Sequence, residues 1–480
     1  MQSPLVSVII PAYNQGDFIG DAIQSVLDQT YENFEIIVVN DASTDNTEEV
    51  IRRFNDDRLK YIVHQKNARL PATRNTGMRA SQGEILALLD ADDIFLPEKL
   101  QVHVTFLREH PDVGVSYNSR FNLHYSSREI AGIWRPPMKV GLVDLILGFP
   151  FAPSDMVVRR DWAFKVGLFD PAMGTAEDTD FPCRLALAGC QFAGIDRVLN
   201  YRRYHSGRPR KNLQGRLDDV ARAQTAIFAD PRCSKDALEL GQFALKHHLM
   251  VVMSLAYLQE ETHLAQKFMR ELVEMDPRVL EGEPSEFIDF MTSESIADES
   301  LNHEDVIDRI IRQLPPEHAW LGAQLDRSKA TGALMRGLRS VAWNRIDRGQ
   351  VQLLRAKELG VQIHPQMVLF FLSHLLSYET AFEFNKTMSL LERVTESLEM
   401  IGQGQSARSL REKYLVMRAF ESYFSGNFER VPEKVVRAVT EYPKHVMNRG
   451  VLSILVRSIF RSLVAGRAER SQAGVSEFHA

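Results

Sequence analysis

Three carboxylates stand within four residues of the chain, at Asp90, Asp92 and Asp93. They directly follow the apolar run Glu84–Leu89. Carboxylates held so closely repel one another unless a positive charge lies among them. Mg²⁺ or Mn²⁺ suits that position, since both take oxygen ligands and commonly bind substrate phosphates as well. The alternative is an acidic loop that caps the next helix near Pro97, but the apolar run and the companion clusters favour a metal.

Three further polar clusters lie where they could join the first one. They are Pro11–Asn14, Asp41–Asp45 and Glu177–Asp180. The loop after the first apolar run reads Pro-Ala-Tyr-Asn-Gln-Gly, so it carries neither the Gly-x-Gly-x-x-Gly nor the Gly-Lys-Ser/Thr phosphate loop. A diphosphate would then be held through a cation, which would also neutralise the Asp92 carboxylate.

Alternating strands and helices must position these clusters. The predicted strands are Val6–Pro11, Phe34–Asn40, Leu59–Val63 and Glu84–Leu89, and the predicted helices are Asp17–Gln29, one from Asp45 to about Phe54, and Ala72–Ser81. This alternation predicts an α/β fold with a mostly parallel sheet flanked by helices. Ligands of such sheets bind at the carboxyl ends of the strands, which is where the clusters fall.

The pattern changes near residue 210, where strand-like runs give way to helical stripes. A chain of 480 residues suggests two or three domains. We predict an α/β domain over 1–210, an all-α domain over 211–466 and a disordered tail over 467–480. The spacing of Gly426, Ala438 and Pro443 is typical of half a tetratricopeptide unit, with irregular helical packing as the alternative.

Composition limits the class of protein. With 44% apolar and 25% charged residues, the chain is neither disordered nor fibrous. A net charge of −6 disfavours nucleic acid as a partner. Three cysteines cannot build a disulfide framework, and neither a secretory signal nor a membrane span is expected, so we predict a cytoplasmic protein.

The last predicted helix is basic and amphipathic. Its apolar stripe comprises Leu452, Leu455, Val456, Ile459 and Leu463. The favoured interpretation is that this stripe packs on the preceding helices. The alternative is peripheral contact with anionic lipid at the inner face of the membrane. The helical domain could also bind a protein partner.

Several ordered motifs resemble those of the family 2 glycosyltransferases, over about residues 6–205. They are Pro4–Thr47, Ala72–Asp93 and Gly167–Gly189. The resemblance implies the GT-A nucleotide-diphospho-sugar transferase fold for this part of the chain, and it leaves the helical half unassigned. It also implies Mn²⁺ or Mg²⁺ as cofactor and a nucleotide-diphosphate sugar as donor, with a UDP-sugar favoured.

The resemblance assigns roles on the donor side of the site. Ala12 and Tyr13 match positions that contact the base and ribose, and Asp41 matches a base-contacting aspartate. Arg74 matches an arginine near the base and diphosphate. The pair Asp90 and Asp92 resembles the Asp-x-Asp motif, which lies at the ribose and the metal.

It also assigns roles where the acceptor would react. Asp178 resembles the general base, with Glu177 orienting it, and His205 matches a motif that helps hold the diphosphate or metal. For Asp178 the alternative is an acid in the first turn of a helix. Arg69, Ala176 and Thr179 depart from the family pattern, in which glycine, glycine and tryptophan are frequent at these positions. Ala176 and Thr179 lie where the acceptor is expected, so the acceptor does not follow from analogy.

The chemistry is consistent with this assignment. A carboxylate near the acceptor can take the hydroxyl proton, and a cation can offset charge on the departing diphosphate. One base without a carboxylate nucleophile fits a single displacement with inversion. We therefore predict an inverting, metal-dependent glycosyltransferase of cell-surface polysaccharide or glycolipid synthesis, acting on a saccharide or lipid-linked acceptor. The alternative is a non-catalytic sugar-nucleotide scaffold that acts through its helical domain.

Overall fold

A computed structural model describes most of the chain. The described residues are 3–148, 150–204, 212–297, 301–363, 365–382, 384–424 and 428–459. Statements below on what is present or absent concern these residues.

One mixed sheet organises the first part of the chain. Its strands are β1 (Val6–Ala12), β2 (Phe34–Asn40), β3 (Leu59–Val63), β4 (Ile85–Leu88), β5 (Ile94–Phe95), β6 (Val113–His124), β7 (Ile130–Trp134), β8 (Met156–Arg159) and β9 (Gln191–Tyr204). Their order is β3-β2-β1-β4-β8-β6-β9-β5, with β7 paired to β6. The four strands predicted from the sequence are all present.

Parallel pairing joins β3, β2, β1 and β4, and it recurs between β6 and β9. The pairs β4–β8, β6–β8, β6–β7 and β5–β9 are antiparallel. The predicted α/β class, a sheet flanked by helices, is thus confirmed with one correction: the sheet is mixed rather than mostly parallel. The antiparallel strands follow Asp90, in a stretch where the sequence pattern gave no strand signal.

Helices cover both faces of the sheet. Those of this part are α1 (Ile19–Leu27), α2 (Thr47–Ile51), α3 (Leu70–Ala80), α4 (Lys99–Glu109), α5 (Leu142–Leu147), α6 (Arg160–Lys165) and α7 (Glu177–Leu187), with a 3₁₀ turn at Pro153–Asp155. Successive strand residues point to opposite faces, so Ile9 packs in one core and Ile10 in the other. Strands buried on both faces are apolar throughout, which explains the unbroken apolar runs.

Every described element after β9 is helical. These helices are α8 (Leu213–Ala229), α9 (Lys235–Glu239), α10 (Gly241–Leu258), α11 (Thr262–Met275), α12 (Glu286–Ala297), α13 (His303–Gln313), α14 (Gly322–Ala342), α15 (Ile346–Glu358), α16 (Pro365–Ala381), α17 (Phe384–Met400), α18 (Gly404–Phe424) and α19 (Val431–Glu441), followed by a helical stretch over 449–459. Short 3₁₀ helices occur at Pro277–Leu280, Pro316–Leu321, Phe428–Arg430 and Pro443–Met447. The predicted all-α region is therefore confirmed in class.

By internal packing the chain divides into two compact units, Met1–Gly332 and Ala333–Ala480. The first unit includes helices α8 to α13 as well as the sheet. The domain limits at 210 and 466 remain predictions, as does the tetratricopeptide hypothesis. The predicted disordered tail at 467–480 and part of the Gly426 motif lie outside the described residues.

The last described helix, 449–459, packs differently from the prediction. Its buried residues include Val451 and Ile454, which join the cluster around Val435. Two members of the predicted stripe, Leu452 and Val456, are exposed at 41% and 65%. In the described part of the chain, no helix has both the length and the apolar character needed to cross a membrane.

Candidate active site

A cavity of about 570 Å³ opens at the carboxyl ends of β1, β2 and β4. The first turns of α3, α7 and α8 complete it. Its lining includes the described residues that the sequence analysis singled out: Ala12, Tyr13, Asp41, Arg74, Asp90, Asp92, Glu177 and Asp178. The fold therefore brings together side chains that are as far apart in sequence as Ala12 and Asp178.

The acidic loop after β4 offers oxygen donors to a cation. Carboxylate oxygens of Asp90, Asp92 and Asp93 all lie within 4.8 Å of one another. Oxygen-only donors at this spacing fit a hard divalent cation such as Mg²⁺ or Mn²⁺. Asp93 is almost fully buried and accepts a hydrogen bond from the Arg203 backbone N–H at 3.1 Å. Asp90 and Asp92, which line the cavity, are thus the better placed pair.

Arg203, at the end of β9, holds this loop in place. Its Nε donates to the carbonyl of Asp92, and its Nη1 lies 2.6 Å from Oδ2 of Asp21 in α1. Its Nη2 donates to the carbonyl of Phe18 at 3.0 Å. One buried guanidinium therefore joins the acidic loop to α1 and β9, and it fixes the direction in which the carboxylates point.

A second buried guanidinium, Arg74 of α3, connects the acidic loop to α7. Its Nη2 lies 2.6 Å from Oδ1 of Asp90, and its Nη1 lies 2.8 Å from Oε1 of Glu177. Burial disfavours the charge of Arg74, but the two carboxylates outweigh it and raise its pKa. Arg74 therefore remains a cation and sets the spacing between the acidic loop and the start of α7.

Asp178 lies in the first turn of α7, beside Glu177. Its Oδ1 is buried and has no hydrogen-bond partner, while the side chain lines the cavity. Because Pro182 lacks an N–H, it cannot donate to the carbonyl of Asp178, where an α-helix would otherwise be bonded. The alternative reading of Asp178, an acid in the first helical turn, is correct for its position. That position also directs the carboxylate into the cavity.

Burial raises the pKa of Asp178 above its ordinary value, and the nearby Arg216, Arg74 and Arg202 oppose this shift. Burial also raises the pKa of Glu177, with the charge of Asp178 adding to the effect. A carboxylate whose pKa is raised is a stronger base once it is ionised. Such perturbed groups in a cleft are typical of catalytic sites.

Asp41 organises the loop between β3 and α3. Its Oδ1 accepts from His64 Nδ1 at 2.6 Å and from the Ala68 N–H at 2.8 Å, and its Oδ2 accepts from the Arg69 N–H at 3.0 Å. A carboxylate has about four acceptor positions, so about one remains for a ligand. This loop holds Arg69 at φ +70° and ψ 161°, a conformation that strongly favours glycine. The structure thus explains why a glycine is usual there.

The loops after β1 and β2 brace each other. The Asn14 N–H donates to Ser43 Oγ at 3.0 Å, and the Thr44 N–H donates to Asn14 Oδ1 at 2.8 Å. Gly16 donates to Asp45 Oδ2 at 3.0 Å, and a Cβ at Gly16 would lie only 1.9 Å from Asn46 Oδ1. This bracing holds the backbone of Ala12 and Tyr13 at the cavity wall, with the Tyr13 side chain 46% exposed.

Four arginines of the lining did not emerge from the sequence as site residues. They are Arg69, Arg120, Arg202 and Arg216. Arg69 was noticed only as a departure from the family pattern, and Arg216 lies beyond the predicted limit of the α/β domain. The basic residues around 202–216 were the available signal, but they indicated a linker. The predicted site residue His205 lies outside the described residues.

Comparison with known proteins places the first part of the chain. Residues 7–163 match the family described as Glycosyl transferase family 2. An uncharacterized glycosyltransferase of Rickettsia bellii is 43% identical over 105 residues, which is 22% of this chain and 15% of that protein. The Escherichia coli protein named UDP-Glc:alpha-D-GlcNAc-diphosphoundecaprenol beta-1,3-glucosyltransferase WfgD is 33% identical over 140 residues, 29% of this chain and 54% of that one. These relatives are thus matched over about half of their length or less.

Solved structures also align with this chain. The mannosyltransferase PcManGT from Pyrobaculum calidifontis, in complex with GDP-Man and Mn²⁺, aligns with a TM-score of 0.43 and 18% identity. The alignment covers 65% of this chain and 88% of that one.

Proposed function

Because residues 7–163 match the family described as Glycosyl transferase family 2, we propose that the protein is an inverting, metal-dependent glycosyltransferase. It moves a sugar from a nucleotide-diphosphate donor to an acceptor hydroxyl in the synthesis of a cell-surface polysaccharide or glycolipid. One observation carries the proposal: a single cavity unites the Asp90–Asp92 pair with the unpartnered carboxylate oxygen of Asp178. The carboxylates of Asp90 and Asp92 can bind a cation, and the Oδ1 atom of Asp178 can act as a base.

Asp178 takes the proton from the acceptor hydroxyl as that oxygen attacks the anomeric carbon. Its Oδ1 is the atom assigned to this proton, since no other described group bonds to it. Glu177 accepts from Arg74 and thereby fixes the start of α7. Attack from the side opposite the leaving diphosphate gives inversion at the anomeric carbon.

Asp92 and Asp90 would hold the cation, Mn²⁺ or Mg²⁺. When bound, the cation offsets the negative charge of the departing diphosphate. Arg74 keeps Asp90 oriented toward the cavity by its 2.6 Å contact. Arg203 fixes the Asp92 backbone from below, so both ligands are positioned before any substrate enters.

The nucleotide lies along the loops after β1 and β2. Ala12 and Tyr13 form the wall for base and ribose, and Asp41 offers its remaining acceptor position to an N–H of the base. The name of the E. coli relative, with UDP-Glc as donor and a diphosphoundecaprenol-linked acceptor, supports a UDP-sugar donor and a lipid-linked saccharide acceptor.

A nucleotide screen tests this function. We expect Mn²⁺ together with one of UDP, GDP or dTDP to raise the melting temperature, and the Asp92→Asn variant to lose the Mn²⁺-dependent part of that rise. Removal of the metal with EDTA should abolish the effect. If no nucleotide changes the melting temperature at any Mn²⁺ concentration, the proposal fails.

We also propose peripheral contact with anionic lipid through the helix 449–459. The exposed apolar side chains Leu452, Val456 and Ile459 lie on a helix that also exposes Arg457. Apolar residues beside cations favour binding to an anionic membrane surface. The Val456→Glu variant should float less with liposomes of phosphatidylglycerol than the parent protein. Val436→Glu, an equally exposed position on α19, should float like the parent; equal flotation of all three would contradict the proposal.

A further inference from the structure

Three of the arginines in the cavity lack a carboxylate partner. Within the described residues, the guanidinium groups of Arg69, Arg202 and Arg216 make no hydrogen bond or ion pair. In the same cavity, Arg74 is paired with two carboxylates and Arg120 with one. Unpaired cations gathered in one cavity indicate an anionic ligand, since guanidinium groups bind phosphates and carboxylates through paired hydrogen bonds.

Arg216 lies on the Asp178 side of the cavity. It belongs to the first turn of α8, and α8 is fastened to the loop that precedes Asp178. The backbone N–H and the hydroxyl of Thr175 both donate to Asp219 Oδ2, at 3.1 and 3.0 Å. Arg216 and Asp178 both line the cavity, and the positive charge of Arg216 opposes the rise in the pKa of Asp178. Arg216 therefore lies on the same side of the cavity as the proposed base.

Arg69 approaches the same loop, close to Asp219 of α8. Its Nη1 lies 3.4 Å from the position that a Cβ on Gly174 would occupy, and Asp219 Oδ2 lies 3.5 Å from that position. Its backbone has φ +70° and ψ 161°, which is strained for any residue except glycine. Within the described residues its guanidinium makes no hydrogen bond or ion pair, so it can bind a ligand in the cavity.

Arg202 differs from these two in its surroundings. Burial disfavours the charge of Arg202, but the carboxylates of Asp93, Asp155 and Asp90 outweigh it and raise its pKa. It therefore belongs with the donor diphosphate. Arg69 and Arg216 flank the loop that leads to Asp178, where the acceptor must present its hydroxyl.

We propose that the acceptor carries an anionic group, a phosphate or a sugar carboxylate, next to the reacting hydroxyl, and that Arg216 and Arg69 bind it. This inference rests on the proposed glycosyltransferase function. A neutral acceptor would leave both guanidinium groups without an anion bonded to them in the cavity. The arrangement therefore selects acidic acceptors over neutral ones.

Calorimetry on protein saturated with UDP and Mn²⁺ tests the proposal, because the donor diphosphate site is then filled. Glucose 1-phosphate, glucuronic acid and methyl glucoside serve as phosphate, carboxylate and neutral probes. We expect one of the two acidic sugars to bind at least about tenfold more tightly than methyl glucoside. A tenfold change in Kd corresponds to about 1.4 kcal/mol in the free energy of binding. Which of them does so distinguishes phosphate from carboxylate.

The variants Arg216→Gln and Arg69→Gln should each raise the Kd of the acidic sugar by about tenfold without changing the Kd of UDP with Mn²⁺. Arg69→Gly should weaken it equally while raising the melting temperature, because glycine relieves the strained backbone. Arg232→Gln, at an exposed arginine paired with Asp230, is the matched control and should bind as the parent does.

Two results would overturn the inference while leaving the proposed function standing. One is that neither acidic sugar binds better than methyl glucoside. The other is that the Arg216 and Arg69 variants weaken UDP instead of the acidic sugar, which would assign both residues to the donor. Failure of the parent protein to bind UDP, GDP or dTDP would instead contradict the proposed function itself.

Discussion

The Asp178→Asn variant is expected to transfer sugar about 10²- to 10⁴-fold more slowly than the parent, the usual contribution of a general base. Asparagine preserves the size of the side chain, but its amide cannot take the hydroxyl proton. Because Asp178 bonds to no other described group through Oδ1, its loss should not disturb the site. Steady-state kinetics with the donor selected by the nucleotide screen give kcat, and calorimetry checks that UDP and Mn²⁺ still bind.

The pH dependence should have a definite sign. The base acts only when it is ionised, so the rate falls as the pH drops through the pKa of Asp178. Burial raises that pKa, which moves the acid limb of kcat to a higher pH than an ordinary aspartate would give. The Glu177→Gln variant removes a negative charge beside Asp178, so its acid limb should move to lower pH.

Asp180 provides the matched control for Asp178. It lies in the same helical turn and is buried, but it bonds to Arg184 at 2.6 and 2.9 Å and does not line the cavity. The Asp180→Asn variant should lose stability and keep its rate per folded molecule. If Asp178→Asn turned over as fast as the parent, Asp178 would not be the base.

The sequence could predict the elements whose signal is local. The strands Val6–Ala12 and Phe34–Asn40 are buried on both faces and so appear as unbroken apolar runs. The helix Ile19–Leu27 shows a helical stripe that includes Ile19, Ile23 and Val26. The strands β6 and β9, which pair parallel to each other, carry mixed polar residues such as Asn118 and Asn200, which are buried and bonded to each other at 2.7 Å. Such pairing across 82 residues leaves no periodic signal in the sequence.

Some residues of the candidate site could likewise be predicted from local sequence, and others could not. Asp90 and Asp92 could be recognised because a strand ends directly before them. The link from Arg74 to Glu177 spans 103 residues, so only the folded chain reveals that one guanidinium holds both carboxylates. Arg216 was missed because the apparent linker around residue 210 suggested a domain limit, whereas α8 belongs to the same compact unit as the sheet.

Replacement of Arg74 by methionine is expected to give the largest loss of stability in this unit. Arg74 is 1% exposed, and it lies between Asp90 and Glu177. Methionine fills much of the volume but leaves both carboxylates without a cation in a buried site. Removing one partner of a buried ion pair costs about 3–5 kcal/mol, which is a large part of the stability of a typical domain.

The loss should depend on pH in a way that separates charge from packing. Burial already raises the pKa of Glu177 to about 7 in the parent, and loss of the Arg74 cation raises it further. Above about pH 7 the native state of the variant therefore keeps a proton that the unfolded chain and the parent have lost, so its free energy of unfolding continues to fall while that of the parent levels off. Urea unfolding measures this difference. The deficit in the free energy of unfolding relative to the parent should be smallest near pH 4 and largest near pH 8.

The Arg74→Lys variant separates the ion pair from the shape of its guanidinium. Lysine keeps one positive charge, but it cannot reach Asp90 and Glu177 with two separate nitrogens as Arg74 does at 2.6 and 2.8 Å. Its free energy of unfolding should lie between those of the parent and the methionine variant, and its deficit relative to the parent should depend less on pH. A deficit of the methionine variant that stays constant from pH 4 to 8 would show instead that Arg74 acts through packing against Phe169, whose ring centroid lies 5.3 Å away. In that case, the spacing between the acidic loop and Asp178 would be set by the apolar core rather than by the charge between them.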